Sequence, residues 1–196
     1  LLSISTFRYR PFSTKDKHSR ETRLMHPETG WILQRRSVRR YLDKDVTDET
    51  VHELIEAAMA APSACARDPW HFVVVRDKAR LGHIADGLPN GKMLADAAVG
   101  IVVVGSPKEA HDGQESYMLQ DCSAAIENLL LAATSLGLGA CWLFFHPRKD
   151  RINPLRITLK LPADVTPISV IAVGWPAESP APRTRFTPDK VHTETW

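Results

Sequence analysis

The segment AVGIVVVGS, residues 98–106, constrains the fold most, because it is a nearly unbroken run of apolar residues. It is much shorter than the roughly 18 apolar residues that a membrane span needs. A short run of this kind is typical of a strand in the middle of a sheet, with cover on both faces. TPISVIAVGW (166–175), WHFVVVR (70–76) and ACWLFF (140–145) predict three further strands.

Helical patterns lie between and before these strands. We predict helices over residues 27–36, from the N-cap Thr47 to Pro62, over 77–88 and over 113–140, with a short helix between the third and fourth strands. The predicted order is helix, helix, strand, helix, strand, helix, strand, short helix, strand. With no repeat or internal linker, this order predicts one α/β sandwich built around one sheet.

Residues 1–25 differ from the rest of the chain. They are rich in Ser, Thr and Arg and have no apolar periodicity. We expect a mobile or non-native extension, such as sequence translated ahead of a start at Met25. The composition also resembles an organelle transit peptide. The folded domain is expected to comprise residues 26–196.

Composition argues against several classes of protein. The 25 Lys and Arg residues nearly balance the 23 Asp and Glu residues, for a net charge of +2. A nucleic-acid-binding domain usually has a larger excess of positive charge. The three cysteines form no C-x-x-C pair, which favours a reducing, cytoplasmic compartment. No apolar run is long enough to predict a membrane segment.

Three kinds of active site are also disfavoured by motif. No two histidines have the i, i+4 spacing of a helical metal site, and no G-x-S-x-G motif marks a serine nucleophile. The glycines of GLGACW, residues 137–142, follow a helix and precede a strand, which reverses the dinucleotide-binding arrangement. We expect Gly137 to end the helix in a left-handed conformation and Gly139 to ease the following turn.

Two clusters of arginine remain unexplained by these arguments. One is RRSVRRY, residues 35–41, called the arginine segment below. The other is PRTRF, residues 182–186, where alternation places Arg183 and Arg185 on one side of an extended chain. Guanidinium groups suit bidentate recognition of phosphate. A solvated charged face is the alternative for each cluster.

Five sequence blocks give a resemblance to a known family. RRSVRRY, AAPSACARDPWHFVVV, AAIENLLLAATSLGLGACW, VIAVGWPAE and PRTRF occur in the order and spacing of the nitroreductase family. The resemblance runs from about residue 31 to the C-terminus and is strongest to the short-chain members. It implies an FMN-binding domain over residues 26–196 that forms a homodimer. It further implies one central, mostly antiparallel sheet flanked by helices, with the C-terminal segment exchanged between subunits.

The resemblance also implies the residues that bind FMN. Arg35, Arg36 and Ser37 match positions at the phosphate and ribityl chain, and Arg39 matches the basic residue at the pyrimidine side of the flavin. The turn of Pro62, Ser63 and Ala64 would lie against the partner subunit's flavin. The end of a strand would pass close to the ring, with Trp142, Leu143, Phe144 and Phe145. A basic pair near the C-terminus, Arg183 and Arg185, would reach the phosphate.

By resemblance, the function is that of an FMN-dependent NAD(P)H oxidoreductase. FMN carries the chemistry, so no catalytic side chain and no metal are expected. NADH or NADPH would reduce the flavin, and a small planar acceptor such as a nitroaromatic or quinone would follow by ping-pong hydride transfer. No nucleic acid or membrane partner is expected.

An alternative is a flavin-binding protein with little reductase turnover, used for flavin storage, sensing or cleavage. Ala66 and Asp68 favour it, because the family often has Asn and Gln there. Phe144 and Phe145 also favour it, because the family commonly has a small residue there and two rings would narrow the space over the flavin.

Overall fold

The computed structural model describes residues 27–196, and the predicted order of elements is confirmed. The predicted extension over residues 1–25 lies outside the described part. Helices and strands run in this order: α1 (Pro27–Gln34), α2 (Asp48–Met59), β1 (Trp70–Val75), α3 (Lys78–Asp86), β2 (Val99–Gly105), α4 (Glu115–Ser135), β3 (Gly139–Phe144), α5 (Lys149–Leu159) and β4 (Thr166–Gly174). The first helix ends two residues earlier than predicted, so the arginine segment lies outside it.

The four strands form one sheet in the order β1-β2-β4-β3, and every neighbouring pair is antiparallel. The expectation of a central, mostly antiparallel sheet flanked by helices is therefore confirmed. Every residue of β2 is buried, and so is every residue of β4 after Thr166. These two apolar runs occupy the middle of the sheet because helices cover both of its faces.

Alternation along the strands divides the interior into two cores. Ile101 and Val103 of β2 pack with residues of α2 and α4 on one face. Val102 and Val104 pack with residues of α3 and α5 on the other face. The wide apolar stripe predicted for the longest helix is confirmed, since α4 contributes buried residues along its whole length.

Local signals at two helix ends are also confirmed. The side chain of Thr47 caps α2 by accepting a 3.3 Å hydrogen bond from the backbone N–H of Thr50. Beyond α4, Gly137 has a φ of +72°, the left-handed conformation that favours glycine. The role expected of Gly139 was wrong. A Cβ at Gly139 would lie 2.6 Å from Cγ1 of Val38, so glycine is needed there for close packing against the arginine segment.

The last 22 residues of the chain, 175–196 and called the tail below, leave β4 and run back along their own chain. Leu42 donates a 2.8 Å backbone hydrogen bond to Trp175, and Ala177 donates one of 2.9 Å to Arg40. Every residue from 181 to 196 is exposed in the single chain. An exchange between subunits would therefore concern the later part of the tail.

Within residues 27–196, no helix has both the length and the apolar composition that crossing a bilayer requires.

Candidate functional site

The arginine segment lies along the outer edge of β3. The backbone N–H of Val38 donates a 3.0 Å hydrogen bond to the carbonyl of Ala140, and Ser37 forms an isolated parallel bridge with the same residue. Val38 is buried. The hydrogen bond, the bridge and the burial of the Val38 side chain together hold the segment beside the strand.

The tail holds the arginine segment from its other side. The guanidinium of Arg36 donates a hydrogen bond to the carbonyl of Ala181. The backbone N–H of Arg183 donates a 3.3 Å hydrogen bond to the carbonyl of Leu33, near the end of α1. The structure thus brings Arg183 close to Arg36, although they are far apart in the sequence. Arg185 follows on the exposed part of the tail.

Glu178 is the carboxylate that joins these two segments. Its Oε1 atom accepts a 2.6 Å hydrogen bond from the backbone N–H of Arg39, and its Oε2 atom lies 3.1 Å from Nε of Arg40. The hydrogen bond from Arg39, with a further contribution from Arg40, lowers the pKa of Glu178 below its usual value. The side chain of Arg40 is 73% exposed, and this ion pair is its contact with the tail.

Arg35 has a carboxylate partner on a neighbouring helix. Its Nε atom lies 3.4 Å from Oε1 of Glu127 in α4. Burial raises the pKa of Glu127, while the charge of Arg35 opposes that shift. This contact fixes Arg35 on the side of the segment that faces α4.

A cavity of about 190 Å³ opens where the arginine segment meets the end of β3. It is lined by Arg39, by residues 88–90 after α3, by residues 141–144 of β3 and by Arg151 in the first turn of α5. The lining contains two guanidinium groups and no carboxylate. The electrostatic field in the cavity therefore favours an anionic ligand.

An aromatic pair lies at the end of β3, next to the residues that border this cavity. The rings of Trp142 and Phe144 stack with centroids 4.7 Å apart and an interplanar angle of 22°. The indole N–H of Trp142 donates a 2.6 Å hydrogen bond to the hydroxyl of Ser169, which fixes its orientation. Trp142 packs against the core on the α4 face of the sheet, whereas Cys141 and Leu143 of the cavity lining belong to the core on the other face. The ring of Phe144 is 53% exposed and offers a planar ligand a surface.

Phe145 does not belong to this aromatic pair. Its side chain is 1% exposed and packs in the core between the sheet, α3 and α5. The expectation that it narrows the space over the ring is therefore wrong, while the same expectation for Phe144 stays a prediction. Successive side chains at a strand end point to opposite faces, which explains why one of the two rings is buried and the other exposed.

The turn containing Pro62, Ser63 and Ala64 does not line this cavity in the same chain. Ser63 donates a 2.5 Å hydrogen bond to the carboxylate of Asp68, whose own N–H returns a 3.0 Å bond to Ser63. The N–H of Ala64 donates to buried Asp121 of α4 over 3.0 Å. The carboxylate of Asp68 is thus used within this turn, which closes on itself.

Three residues of the same turn have left-handed backbone conformations. The φ angles of Cys65, Ala66 and Asp68 are +52°, +51° and +50°. Asn and Asp tolerate this region better than other residues that carry a Cβ. Asp68 is therefore suited to its position, whereas Ala66 carries strain that Asn would reduce.

Sequence reasoning missed two groups at the site. Arg151 carries no motif in the sequence, yet its Nη1 atom donates a 3.2 Å hydrogen bond to the carbonyl of Phe144, beside the cavity. Glu178 had no motif of its own. The only signal in the sequence is that Glu178 follows the end of β4, Gly174, by four residues. That position does not identify Arg39 as its partner.

Comparisons with known proteins agree with the resemblance. The model of the nitroreductase family matches residues 32–88 and 82–175. A protein of Methanothermobacter thermautotrophicus named "Putative NADH dehydrogenase/NAD(P)H nitroreductase" is 45% identical over 166 residues, which are 84% of this chain and 85% of that protein.

Solved structures of similar proteins share the fold. A structure from Desulfovibrio desulfuricans, titled as a "putative nitroreductase in complex with fmn", is 34% identical, with a TM-score of 0.76 over 88% of this chain and 99% of that one. An "FMN-dependent Nitroreductase" from Clostridium difficile is 27% identical, with a TM-score of 0.79 over 85% and 99%.

These matches agree with the expectations that the chain is an oxidoreductase and that its cofactor is FMN. The family match spans both the arginine segment and β3, the two elements that border the cavity. The tail beyond residue 175 lies outside that match. By sequence match and by fold, the chain belongs to the nitroreductase family.

Proposed function

We propose that this chain is an FMN-dependent NAD(P)H oxidoreductase that reduces a small planar acceptor, such as a nitroaromatic or a quinone, by ping-pong hydride transfer. The observation that carries the proposal is the end of β3, where two guanidinium groups border a cavity and an exposed aromatic ring lies nearby on the same strand. Flavins combine the same two properties, because they are planar and carry negative charge when reduced.

The described residues fit FMN. The phosphate needs cationic donors, and Arg36 and Arg183 lie on two segments that hydrogen bonds hold side by side. Arg35, Ser37 and Arg185 flank them and complete the set that would hold the phosphate and ribityl chain. Arg39 and the strand end at residues 142–144 would hold the ring.

When bound, FMN supplies the capacity to accept and donate a hydride. The chain's own residues bind, orient and stabilise charge. Arg39 places a positive charge in the cavity, and Glu178 holds the backbone of Arg39 by accepting a hydrogen bond from its N–H. Trp142, held by Ser169, keeps Phe144 in a stacked position at the end of β3. The nicotinamide and the acceptor would use the exposed face of the bound flavin in turn.

The test is an anaerobic titration of the purified, FMN-loaded protein. Addition of NADH or NADPH should bleach the yellow colour, and a quinone or nitroaromatic should then restore it. A yellow protein that neither nucleotide bleaches would favour the alternative, a flavin-binding protein with little turnover. That alternative is supported by Ala66 and Asp68, which stand where the family often has Asn and Gln. A protein that refuses FMN would contradict both functions.

We propose that residues 26–196 form one FMN-binding domain that assembles as a homodimer. The exposed later part of the tail supports this proposal, because Phe186, Val191 and Trp196 are 57%, 52% and 100% exposed in the single chain. A partner subunit would bury these side chains. It would also place its turn of Pro62, Ser63 and Ala64 near the flavin. Since all three cysteines are free thiols, a reducing, cytoplasmic location is part of the proposal.

Two deletions separate assembly from the integrity of the site. Removing residues 187–196 keeps the contacts of the tail with the arginine segment and should convert the dimer to a monomer in light scattering. Removing residues 176–196 should also abolish FMN binding, because it removes Glu178 and the carbonyl of Ala181. A dimer of unchanged stability after the first deletion would contradict the proposed role of the tail in assembly.

A further inference from the structure

Arg151 differs from the other arginines around the site. Its Nη1 atom donates to a neutral carbonyl, that of Phe144. Its Nε atom is buried and has no hydrogen-bond partner among the residues that the structure describes. A buried donor without a partner costs free energy, so its presence at a cavity points to a ligand that would satisfy it.

The neighbouring arginine provides a contrast. Arg148 lies one turn earlier and donates two hydrogen bonds, of 3.0 and 3.1 Å, to the carboxylate of Asp150. Its side chain is 59% exposed, and it does not line the cavity. The carboxylate nearest in sequence to Arg151 is thus already engaged. Within residues 30–196, no carboxylate lies within 4 Å of the Arg151 guanidinium.

Arg151 and Arg39 line the same cavity, and the carbonyl that Arg151 contacts belongs to Phe144 at the end of β3. A flavin whose pyrimidine side meets Arg39 leaves Arg151 for a second molecule. Such a molecule would carry an oxyanion, to pair with the guanidinium.

We propose that Arg151 binds an oxyanion, a carboxylate or a phosphate, of the molecule that exchanges electrons with the flavin. This inference rests on the proposed function. The two sources of the oxyanion are a carboxylated aromatic acceptor and the 2′-phosphate of NADPH. In either case Arg151 determines specificity, whereas the flavin carries the reaction.

The experiment compares wild type with Arg151→Gln, with the conservative variant Arg151→Lys and with Arg148→Gln as the matched control. The first arm measures binding of benzoate and of benzamide by calorimetry, and the ratio of kcat/KM for 4-nitrobenzoate and nitrobenzene. The second arm measures the ratio of kcat/KM for NADPH and NADH. Calorimetry requires no turnover, so it tests the inference even if the proposed reductase function fails.

If the oxyanion is the carboxylate of an acceptor, Arg151→Gln should lower two ratios by about tenfold, the usual effect of one hydrogen bond to a charged group. One is the affinity for benzoate over that for benzamide, and the other is kcat/KM for 4-nitrobenzoate over that for nitrobenzene. Arg151→Lys should retain part of the preference, and Arg148→Gln should retain all of it. For a nucleotide phosphate, only the NADPH ratio should fall. If neither preference changes, or if Arg151→Gln only releases FMN, the inference is wrong.

Discussion

The backbone N–H of Arg39 donates a 2.6 Å hydrogen bond to the carboxylate of Glu178, which lies 139 residues farther along the chain. This contact fixes the backbone at the point where the arginine side chain enters the cavity. The tail therefore shapes the site through the backbone of Arg39, in addition to any contact that Arg183 and Arg185 make with a ligand.

The first prediction concerns Glu178 and pH. Its pKa is lowered in the folded protein from the ordinary value of 4.5, so its stabilising effect is present above about pH 4.5 and is lost as the pH falls through the folded-state pKa. Glu178→Gln should lower the free energy of unfolding at pH 7 by roughly 0.5–1.5 kcal/mol. Urea unfolding of the flavin-free protein measures this.

The difference between wild type and Glu178→Gln should shrink as the pH is lowered below 4.5, since the carboxylate is protonated first in the unfolded state and then, below its lowered pKa, in the folded state. Glu53→Gln, at an exposed position of α2, is the matched control for the loss of one negative charge and should leave the stability at pH 7 nearly unchanged. A difference that stays constant between pH 7 and acidic pH would show that the charge of Glu178 is not involved.

The second prediction concerns Arg185 and the phosphate. A hydrogen bond to a charged group is worth roughly 1.5–3 kcal/mol, and 1.4 kcal/mol corresponds to about tenfold in affinity. Arg185→Ala should weaken FMN binding by roughly ten- to a hundredfold. Binding of riboflavin, which lacks the phosphate, should barely change. Titration of both flavins into the flavin-free protein measures this.

Lys190→Ala removes another exposed cation of the same tail and serves as the control for loss of positive charge. It should leave the affinity for FMN nearly unchanged. Equal losses of FMN and riboflavin affinity in Arg185→Ala would mean that Arg185 holds the ring or the fold instead of the phosphate.

The third prediction concerns the exposed ring of Phe144. Phe144→Gly should raise the ratio of kcat/KM for a large quinone over a small one by roughly tenfold, because it removes the exposed ring at the end of β3. Phe145→Leu is the control, and it should lower stability without changing the ratio because that side chain is in the core. Steady-state kinetics with both quinones would refute steric crowding if Phe144→Gly left the ratio unchanged.

The fourth prediction concerns the left-handed residue Ala66, whose φ is +51°. This conformation costs most L-residues roughly 1–2 kcal/mol, and Asn tolerates it better. Ala66→Asn should raise the free energy of unfolding by about 0.5–1 kcal/mol. Ala60→Asn is the control, since Ala60 has a right-handed φ of −76°. Equal effects of the two substitutions on denaturant unfolding would rule out relief of strain.

The order of the helices and strands could be predicted because it follows from local periodicity and caps, as Thr47 and Gly137 show. The end of α1 was placed too late, because Arg35 and Arg36 are good helix formers and the competing bonds to β3 and the tail are long-range. Partners such as Glu178 and Glu127 depend on tertiary packing and leave no local signal. The opposite orientations of Phe144 and Phe145 follow from strand alternation, so the sequence did contain that information.

The pairing of the tail with the arginine segment has a consequence for biosynthesis. Ribosomes make the N-terminal part first, so the arginine segment emerges long before its partners at residues 175–183 exist. Until the last strand and the tail are translated, Arg36 and the backbone of Arg39 lack the groups that hold them. Two of the three strand pairs also need β4, which lies directly before the tail. The sheet and the edge that carries the arginine segment are therefore completed together, once residues 166–183 have been translated.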